Sequence, residues 1–408
     1  MKQTNILFFQ RSCSPADGGV PRVTDIISKE LTSRGYRCFY VYDSNENPLY
    51  ADESKLKISL NDSYGVQEEL ILDFIIQNQI NVLVCQNTYL PNYIKLFQKI
   101  RKLYPTHPFY TFLHASPDYW QSSFRTPNRK PSVKSLKEVA KTFLKKIIYP
   151  FYNPYISSTS ALYQLSDKFV LLSDSFIDSF REIYSVIEKE HKLTSIPNPL
   201  TFANNISQAQ LLGKEKIVLI VSRLEEEQKK ISVALDIWKR ISQQYDHGWK
   251  LLIVGSGPDE NQYKKIVSDN KLTNVTFLGH QDDVRTYYER ASIFLMTSIW
   301  EGLPMSLLEA QQNGVVPVVF DNFSAIYDVV TNAKNGFIIQ QNDADAFRIS
   351  LVNLMQDDSL RYKMASNSVQ NSNRYHVVNI VNEWEEQLLK EMESDKALLN
   401  LDSINISK

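Results

Sequence analysis

Short apolar runs alternate with longer amphipathic stretches along almost the whole chain. The runs are four to seven residues long and rich in β-branched or aromatic residues, which predicts buried β-strands. These predicted strands cover 5–10, 37–42, 80–86, 109–113, 168–173, 217–222, 250–255, 275–278, 292–297, 315–320 and 336–340. The intervening stretches, such as 20–34 and 67–77, have helical spacing. Strands that alternate with helices predict parallel sheets covered by helices on both faces.

A polar stretch at 201–214 divides this pattern into two series. The 408 residues are enough for about two or three domains. We therefore expect an α/β fold of two doubly wound, Rossmann-like domains, at 1–200 and 201–375, facing one another across a cleft. Open parallel sheets bind ligands at the carboxyl ends of their strands, so this cleft is the expected site.

Composition narrows the possible classes of protein. Lys+Arg 45 against Asp+Glu 46 gives a net charge of −1, which argues against a nucleic-acid binder that acts through overall basicity. Three distant cysteines, none in a Cys-x-x-Cys pair, argue against a disulfide framework or a zinc ribbon. The first apolar run is too short for a signal peptide, and no run approaches a membrane span. A cytoplasmic protein is the expectation.

One segment breaks the pattern. Residues 125–147 carry eight Lys or Arg and one Glu, a local charge of +7, and aromatic residues follow up to 155. The second half of this segment also has helical apolar spacing. It is either a solvated surface helix or a basic amphipathic helix that attaches the protein to an anionic membrane surface.

The most specific local signal is a pair of glutamates eight residues apart, Glu301 and Glu309. Gly302 and Pro304 are typical of a helix start, so Glu301 is expected in a loop and Glu309 in the helix. The amides at 303, 305 and 306 would then point out of the helix N-terminus, where an anion or a sugar hydroxyl can bind. Alone, two such acids could equally be complements of the helix dipole.

Basic residues and glycines accompany this pair. Arg223 ends the first strand of the second series, and Lys229 and Lys230 follow; such an arginine and lysine are typical of a diphosphate clamp. Gly255 and Gly257 form a strand-Gly-x-Gly turn that can approach a nucleotide, although such a turn alone is a weak signal.

The order and spacing of these motifs resemble glycosyltransferase family 4, which comprises retaining enzymes of the GT-B architecture. The resemblance covers about 216–342 through SRL…KK, VGSGP, FLGHQDDV, SIWEGLPMSLLEA and NGFII. The first half matches more weakly, through Gly18-Gly19-Val20, His114 in LHASPDY, and Ile-Pro-Asn-Pro at 196–199. By the same resemblance, 376–408 is expected to be a C-terminal helix that crosses back to the first domain, with a frayed tail.

The resemblance implies a role for each residue. Arg223 and Lys229, or Lys230 if the register differs by one, would hold the donor diphosphate. Glu309 would bind the ribose and Glu301 would face the donor sugar. In the first domain, Gly19 would lie near the phosphates and His114 at the sugar. The other residues that the resemblance implies in donor binding are Gly255, Gly257, His280, Gly302, Leu303, Pro304 and Met305.

The resemblance implies a metal-independent retaining hexosyltransferase. Its co-substrate would be a nucleotide-diphosphate sugar, its acceptor a saccharide or lipid-linked saccharide of a cell-surface polysaccharide, and no cofactor or nucleic acid is expected. The first domain, 1–200, is expected to bind the acceptor, and the second, 201–375, the nucleotide sugar. The placement of the basic segment in the acceptor-binding domain suggests work at the inner face of the plasma membrane. A nucleotide-sugar epimerase of the same architecture and a non-catalytic nucleotide-sugar-binding protein are the alternatives. A dinucleotide-dependent dehydrogenase is disfavoured because no Gly-x-Gly-x-x-Gly follows the first strand of either half.

Overall fold

A computed structural model describes residues 3–42, 53–58, 64–86, 91–118, 154–186, 192–244 and 248–390. The chain divides into two compact units, the first comprising Met1–Ile196 with Val377–Lys408 and the second Pro197–His376. Most of the basic segment at 125–155, and the tail expected beyond 390, lie outside the described residues. Within the described ranges, no helix is long and apolar enough to cross a lipid bilayer.

The first unit is built on a parallel sheet of seven strands in the order β3-β2-β1-β4-β5-β6-β7. Strand β1 lies in the interior of this sheet, and its residues Ile6 to Phe9 are completely buried. The strands are β1 Asn5–Gln10, β2 Arg37–Tyr42, β3 Lys55–Lys57, β4 Val82–Cys85, β5 Phe109–Phe112, β6 Lys168–Leu171 and β7 Leu193–Ser195. The helices are α1 Gly19–Ser33, α2 Tyr64–Gln77, α3 Pro91–Leu103, α4 Pro154–Leu165 and α5 Phe176–Tyr184.

The end of the chain packs on the sheet of this first unit. Helix α15, Val377–Trp384, continues into a π-helical turn, Glu385–Leu389. Trp384 is buried and stacks on Phe112 with ring centroids 4.5 Å apart. Arg34, the C-cap residue of α1, donates to Glu385 at 2.7 Å. An apolar anchor and a charged contact therefore both attach this segment to the first unit.

The second unit contains a parallel sheet of six strands in the order β10-β9-β8-β11-β12-β13. The strands are β8 Ile217–Val221, β9 Lys250–Val254, β10 Val275–Gly279, β11 Ile293–Met296, β12 Val316–Phe320 and β13 Phe337–Ile339. The helices are α6 Gln208–Leu212, α7 Glu226–Lys229, α8 Ile231–Ser242, α9 Glu260–Asp269, α10 Arg285–Arg290, α11 Met305–Gln312, α12 Ile326–Val329, α13 Ala344–Gln356 and α14 Asp358–Ser372. Its core packs Leu235 and Trp238 of α8 against buried strand residues such as Val218.

Every predicted strand is present in the described part of the chain, within two residues at each end. The pattern missed β3 and β7, two strands of three residues at the edges of the first sheet. Neither contains an apolar run, because an edge strand borders solvent on one side. Helix α6 also lies inside the polar stretch at 201–214, where Ser207 and Gln210 form a capping box.

Candidate active site

The sheet of the second unit places several predicted site residues along one edge. All its strands are parallel, so their carboxyl ends meet there. β9 lies on one side of β8 and β11 on the other, which makes the gap between β8 and β11 the topological switch point. Open sheets bind ligands at such a point. Arg223 follows β8, Gly255 follows β9, His280 follows β10 and Glu301 follows β11.

Lys229 and Glu301 form a nearly buried ion pair at this switch point. Lys229 Nζ lies 2.5 Å from Glu301 Oε1, and the two side chains are 17% and 8% exposed. Together with Ser222 and Ser306 they line a small cleft beside β8 and β11. Opposite charges that are largely removed from water attract one another strongly. A charged ligand that enters the cleft can therefore take the place of one of these two side chains and pair with the other.

Gln228 also holds Glu301, although Gln228 belongs to none of the recognised sequence motifs. Its Nε2 donates to Glu301 Oε2 at 3.2 Å and to the carbonyl of Trp300 at 3.0 Å. The carbonyl of Gln228 in turn accepts from the amide of Ile299 at 2.8 Å. Gln228 and Glu301 are 73 positions apart, so no local motif reveals this contact.

The backbone distinguishes the two lysines. Lys230 separates α7 from α8 in the left-handed conformation, with φ 49° and ψ 43°. Its Nζ lies 3.6 Å from Glu226, whereas Lys229 reaches Glu301. Lys229 is thus the lysine that enters the cleft. Arg223 lies at the same edge, is 65% exposed and pairs with Glu225 at 2.7 Å rather than with Glu301.

Gly255 and Gly257 allow two loops to approach closely. A Cβ atom at Gly255 would lie 2.0 Å from the carbonyl oxygen of Ser222, and one at Gly257 would lie 2.3 Å from that of Leu224. Gly255 also has φ 128°, which side chains rarely adopt. The loop after β9 therefore lies directly against the loop that carries Arg223. This close packing is itself a reason for both glycines.

Glu309 is buried inside the second unit, with 2% of the residue exposed. Its Oε1 accepts from Thr201 Oγ1 at 2.6 Å, and its Oε2 accepts from Tyr288 Oη at 3.0 Å. These two hydroxyls fix the carboxylate one and a half turns into α11. Thr201 and Tyr288 were not predicted, because neither belongs to the motif that contains Glu309.

The segment between the two glutamates forms the predicted helix start. Helix α11 begins at Met305, with Pro304 as the N-cap residue. Leu303 is buried, and its carbonyl accepts from Asn198 Nδ2 at 2.9 Å. Gly302 links Glu301 to this fixed stretch and is partly exposed. Glu301 therefore precedes a helix N-terminus that is held in place by a contact from the start of the unit.

The remaining residues at this edge are less enclosed. His280 is 59% exposed and lies 3.4 Å from Asp282.

The chain contains one Asp-x-Asp, at Asp343–Asp345, a pattern often associated with metal binding. Asp343 instead caps α13 by accepting from the amide of Ala346 at 2.8 Å. Helix capping accounts for this aspartate.

The first unit has its own switch point, between β1 and β4. Gly19 is the first residue of α1, which follows β1, and Gly18 before it has φ 133°. The left-handed backbone that requires a glycine thus lies at Gly18. Gly19 occupies the helix start, where an amide can face an anion.

His114 follows β5 in the same sheet and is partly buried. Its Nε2 lies 2.5 Å from Gln86 Oε1, and its ring stacks on Phe112 with centroids 6.1 Å apart. Burial lowers the pKa of His114 to about 3, so the ring is neutral at physiological pH. Gln86 was not among the predicted residues, because a lone glutamine after a strand carries no signal.

Residues 202–371 match the family model described as "Glycosyl transferases group 1". The match covers most of the second unit, including the cleft at its switch point. An uncharacterized glycosyltransferase of Haemophilus influenzae is 24% identical over 376 residues, or 90% of this chain and 95% of that protein. The similarity of this relative thus extends through both units.

Two further relatives have more specific names. The amylovoran biosynthesis glycosyltransferase AmsD of Erwinia amylovora is 28% identical over 229 residues, or 55% of this chain and 63% of its own length. A Campylobacter jejuni alpha-1,4-N-acetyl-D-galactosaminyltransferase, named for a diphosphoundecaprenol-linked GalNAc disaccharide-diNAcBac acceptor, is 24% identical over 187 residues, covering 46% of this chain and 52% of that protein.

The fold agrees with these matches. Sucrose-phosphate synthase of Thermosynechococcus elongatus has a TM-score of 0.72 at 15% identity, over 98% of this chain and 100% of that chain. The predicted fold class and family resemblance are confirmed: the protein is a glycosyltransferase with the two Rossmann-like domains of the GT-B architecture. Within its second unit, residues 202–371 match the family model of the glycosyl transferases group 1.

Proposed function

We propose that this glycosyltransferase transfers a hexose from a nucleotide-diphosphate sugar to an acceptor hydroxyl, with retention of the anomeric configuration and without a metal ion. The observation that supports this proposal best is the nearly buried ion pair of Lys229 and Glu301 in the switch-point cleft. A diphosphate can replace the carboxylate as the partner of Lys229. The released Glu301 can then accept from a hydroxyl of the donor sugar.

Each charge has a task in this reaction. Lys229 and the exposed Arg223 bind the diphosphate, and Lys230 is the nearest alternative cation. When the bond between the sugar and the diphosphate breaks, negative charge grows on the leaving group, and fixed cations stabilise that charge most in the transition state. The anomeric carbon gains oxocarbenium character, which the carboxylate of Glu301 stabilises.

The other residues position the donor. Glu309 binds the ribose hydroxyls, and the amides of Gly302, Leu303 and Met305 assist Glu301 at the sugar. From the first unit, Gly19 approaches the phosphates and His114 contacts the sugar. His280, Gly255 and Gly257 belong to the loops that border the nucleotide.

Calorimetric titration with a panel of nucleotide sugars tests the donor assignment. We expect one of UDP-glucose, UDP-galactose, UDP-N-acetylglucosamine and GDP-mannose to bind, and the double variant Arg223→Ala/Glu309→Ala to lose at least about 100-fold in affinity, because two charge-assisted contacts disappear. The matched control is Arg290→Ala/Glu215→Ala, an exposed pair with a 2.6 Å contact beside the amino end of β8. A folded wild type that binds none of the panel would contradict the proposal.

Product analysis tests the chemistry. Proton NMR of the first product formed from an α-linked donor should show an α-anomeric coupling constant, and EDTA should leave the rate unchanged. A β-linked first product would contradict retention. Loss of activity in EDTA with recovery on addition of a divalent ion would contradict metal independence.

We further propose a lipid-linked saccharide acceptor in cell-surface polysaccharide biosynthesis, used at the inner face of the plasma membrane. The acceptor named for the Campylobacter relative and the pathway named for the Erwinia relative support this choice, as does the +7 charge of residues 125–147. Flotation with phosphatidylglycerol vesicles tests the membrane part. Binding should fall when Lys134, Lys137, Lys141 and Lys145 are neutralised; unchanged binding would defeat it.

A further inference from the structure

Two buried glutamines lie side by side at the carboxyl edge of the first unit's sheet. β1 and β4 pair in parallel with Phe9 opposite Cys85, so Gln10, the last residue of β1, and Gln86, the first residue after β4, occupy the next neighbouring positions. Gln10 is 2% exposed and Gln86 is completely buried. Burying an amide side chain costs free energy unless it is hydrogen-bonded. Each glutamine therefore needs a structural or functional reason.

The two glutamines differ in what they contact. Gln86 Oε1 lies 2.5 Å from His114 Nε2, whereas Gln10 Nε2 lies 3.5 Å from Cys13 Sγ. The backbone of Gln86 is fixed, since its amide donates to the carbonyl of Phe9 at 2.9 Å. With the amide oxygen of Gln86 facing the ring, the hydrogen in this contact belongs to Nε2 of His114.

The plane of the His114 ring is determined separately. The ring stacks on Phe112 at an interplanar angle of 20°, and Phe112 stacks on Trp384 at 12°. The stack limits tilting of the imidazole, and Gln86 anchors one of its nitrogens. His114 is partly exposed while Gln86 is completely buried. Of the two, the histidine is therefore the one that a ligand can reach.

We propose that Gln86 is a positioning residue that holds His114 as the Nε2–H tautomer and leaves Nδ1 as the acceptor for a hydroxyl of the donor sugar. The sugar contact rests on the proposed function; the tautomer does not. His114 stays neutral at physiological pH, and a neutral imidazole has one N–H and one acceptor nitrogen. Because the single N–H of the ring donates to Gln86, Nδ1 is free of hydrogen and accepts a hydrogen bond from a hydroxyl group. It cannot donate to an oxygen atom that carries no hydrogen.

Nitrogen NMR of the full chain, labelled with ¹⁵N-histidine, tests the tautomer without any ligand. His114 is assigned by its disappearance in His114→Gln. We expect the Nε2–H pattern in the wild type and a mixture of tautomers in Gln86→Met, which removes the acceptor at similar volume. Gln10→Met is the matched control, because it alters an equally buried neighbour, and it should leave the His114 signals unchanged. An Nδ1–H pattern in the wild type, or an unchanged tautomer in Gln86→Met, would overturn the proposal.

A binding measurement tests the role at the sugar. Using the nucleotide sugar found by calorimetry and its nucleoside diphosphate alone, we expect Gln86→Met to weaken the nucleotide sugar about 3- to 10-fold, the loss of roughly one hydrogen bond, and to leave the nucleoside diphosphate unaffected. Equal weakening of both ligands would refute a role at the sugar. If the wild type binds no nucleotide sugar, the proposed function fails, while the NMR result still decides whether Gln86 sets the tautomer.

Discussion

Breaking the ion pair between Lys229 and Glu301 should destabilise the second unit measurably. Exposed pairs are worth about 0–1 kcal/mol, whereas removing one partner of a buried pair costs about 3–5 kcal/mol. The side chains here are 17% and 8% exposed and 2.5 Å apart, which is closer to the buried case. We therefore expect Glu301→Gln to lower the free energy of unfolding by about 2–3 kcal/mol, because Lys229 keeps its charge and loses its partner.

A double-mutant cycle measures the pair itself. Urea unfolding of the wild type, Glu301→Gln, Lys229→Met and the double variant should give a coupling free energy of at least about 1.5 kcal/mol, since the double variant leaves no unpaired charge. The exposed pair of Arg290 and Glu215, with side chains 54% and 49% exposed, is the control and should couple by less than about 1 kcal/mol. Additivity of the two single substitutions within about 0.5 kcal/mol would refute the argument.

The same variants should affect ligand binding in opposite directions. Lys229→Met is expected to weaken a nucleoside diphosphate at least about 10-fold, because a charge-assisted contact is lost. Glu301→Gln should preserve or improve that affinity, because the phosphate no longer competes with a carboxylate for Lys229. Calorimetry with UDP and GDP makes this comparison. Loss of binding in Glu301→Gln would refute the exchange of carboxylate for phosphate.

Three further substitutions test local features. Lys230→Gly should raise the free energy of unfolding by up to about 1 kcal/mol in urea, because glycine adopts φ 49° without the strain of a side chain; Lys230→Ala keeps that strain, and equal stabilisation by both would refute this reason. Gly257→Ala should cost at least about 2 kcal/mol in urea, because its Cβ would lie 2.3 Å from the carbonyl oxygen of Leu224; a tolerated alanine would contradict the close approach of the loops. Burial lowers the pKa of Lys214 from 10.5 to about 7. Between these pH values the unfolded chain binds one proton more than the folded protein. The free energy of unfolding of the wild type, relative to that of Lys214→Met, should therefore rise from about pH 7 to pH 10.5. Thermal unfolding across this range, with no change in the difference, would show that Lys214 titrates normally.

Much of the fold could be predicted because central strands carry a strong signal. β1 and β8 are buried on both faces and therefore read as continuous apolar runs. The short edge strands β3 and β7 have no such run and were missed. Glu301 and the lysines were found from their positions soon after recognisable strand ends, and Glu309 from its spacing to Glu301.

The contacts of the site could not be predicted in this way. Gln228 meets Glu301 across 73 positions, and Thr201 meets Glu309 across 108. A polar side chain has no periodic pattern that points to its partner. The resemblance favoured Lys229 and kept Lys230 as the alternative, and the left-handed backbone at Lys230 separates the directions of the two side chains.

The sequence by itself determined the alternation of strands and helices, the two series of strands and the chemical types at the strand ends, because these depend on the burial and spacing of residues within short segments. Only the tertiary structure decided which charges pair, which hydroxyls hold Glu309, and that Gln86 contacts His114. These contacts join segments that are far apart in the chain, and they form only when each parallel sheet folds within its own unit.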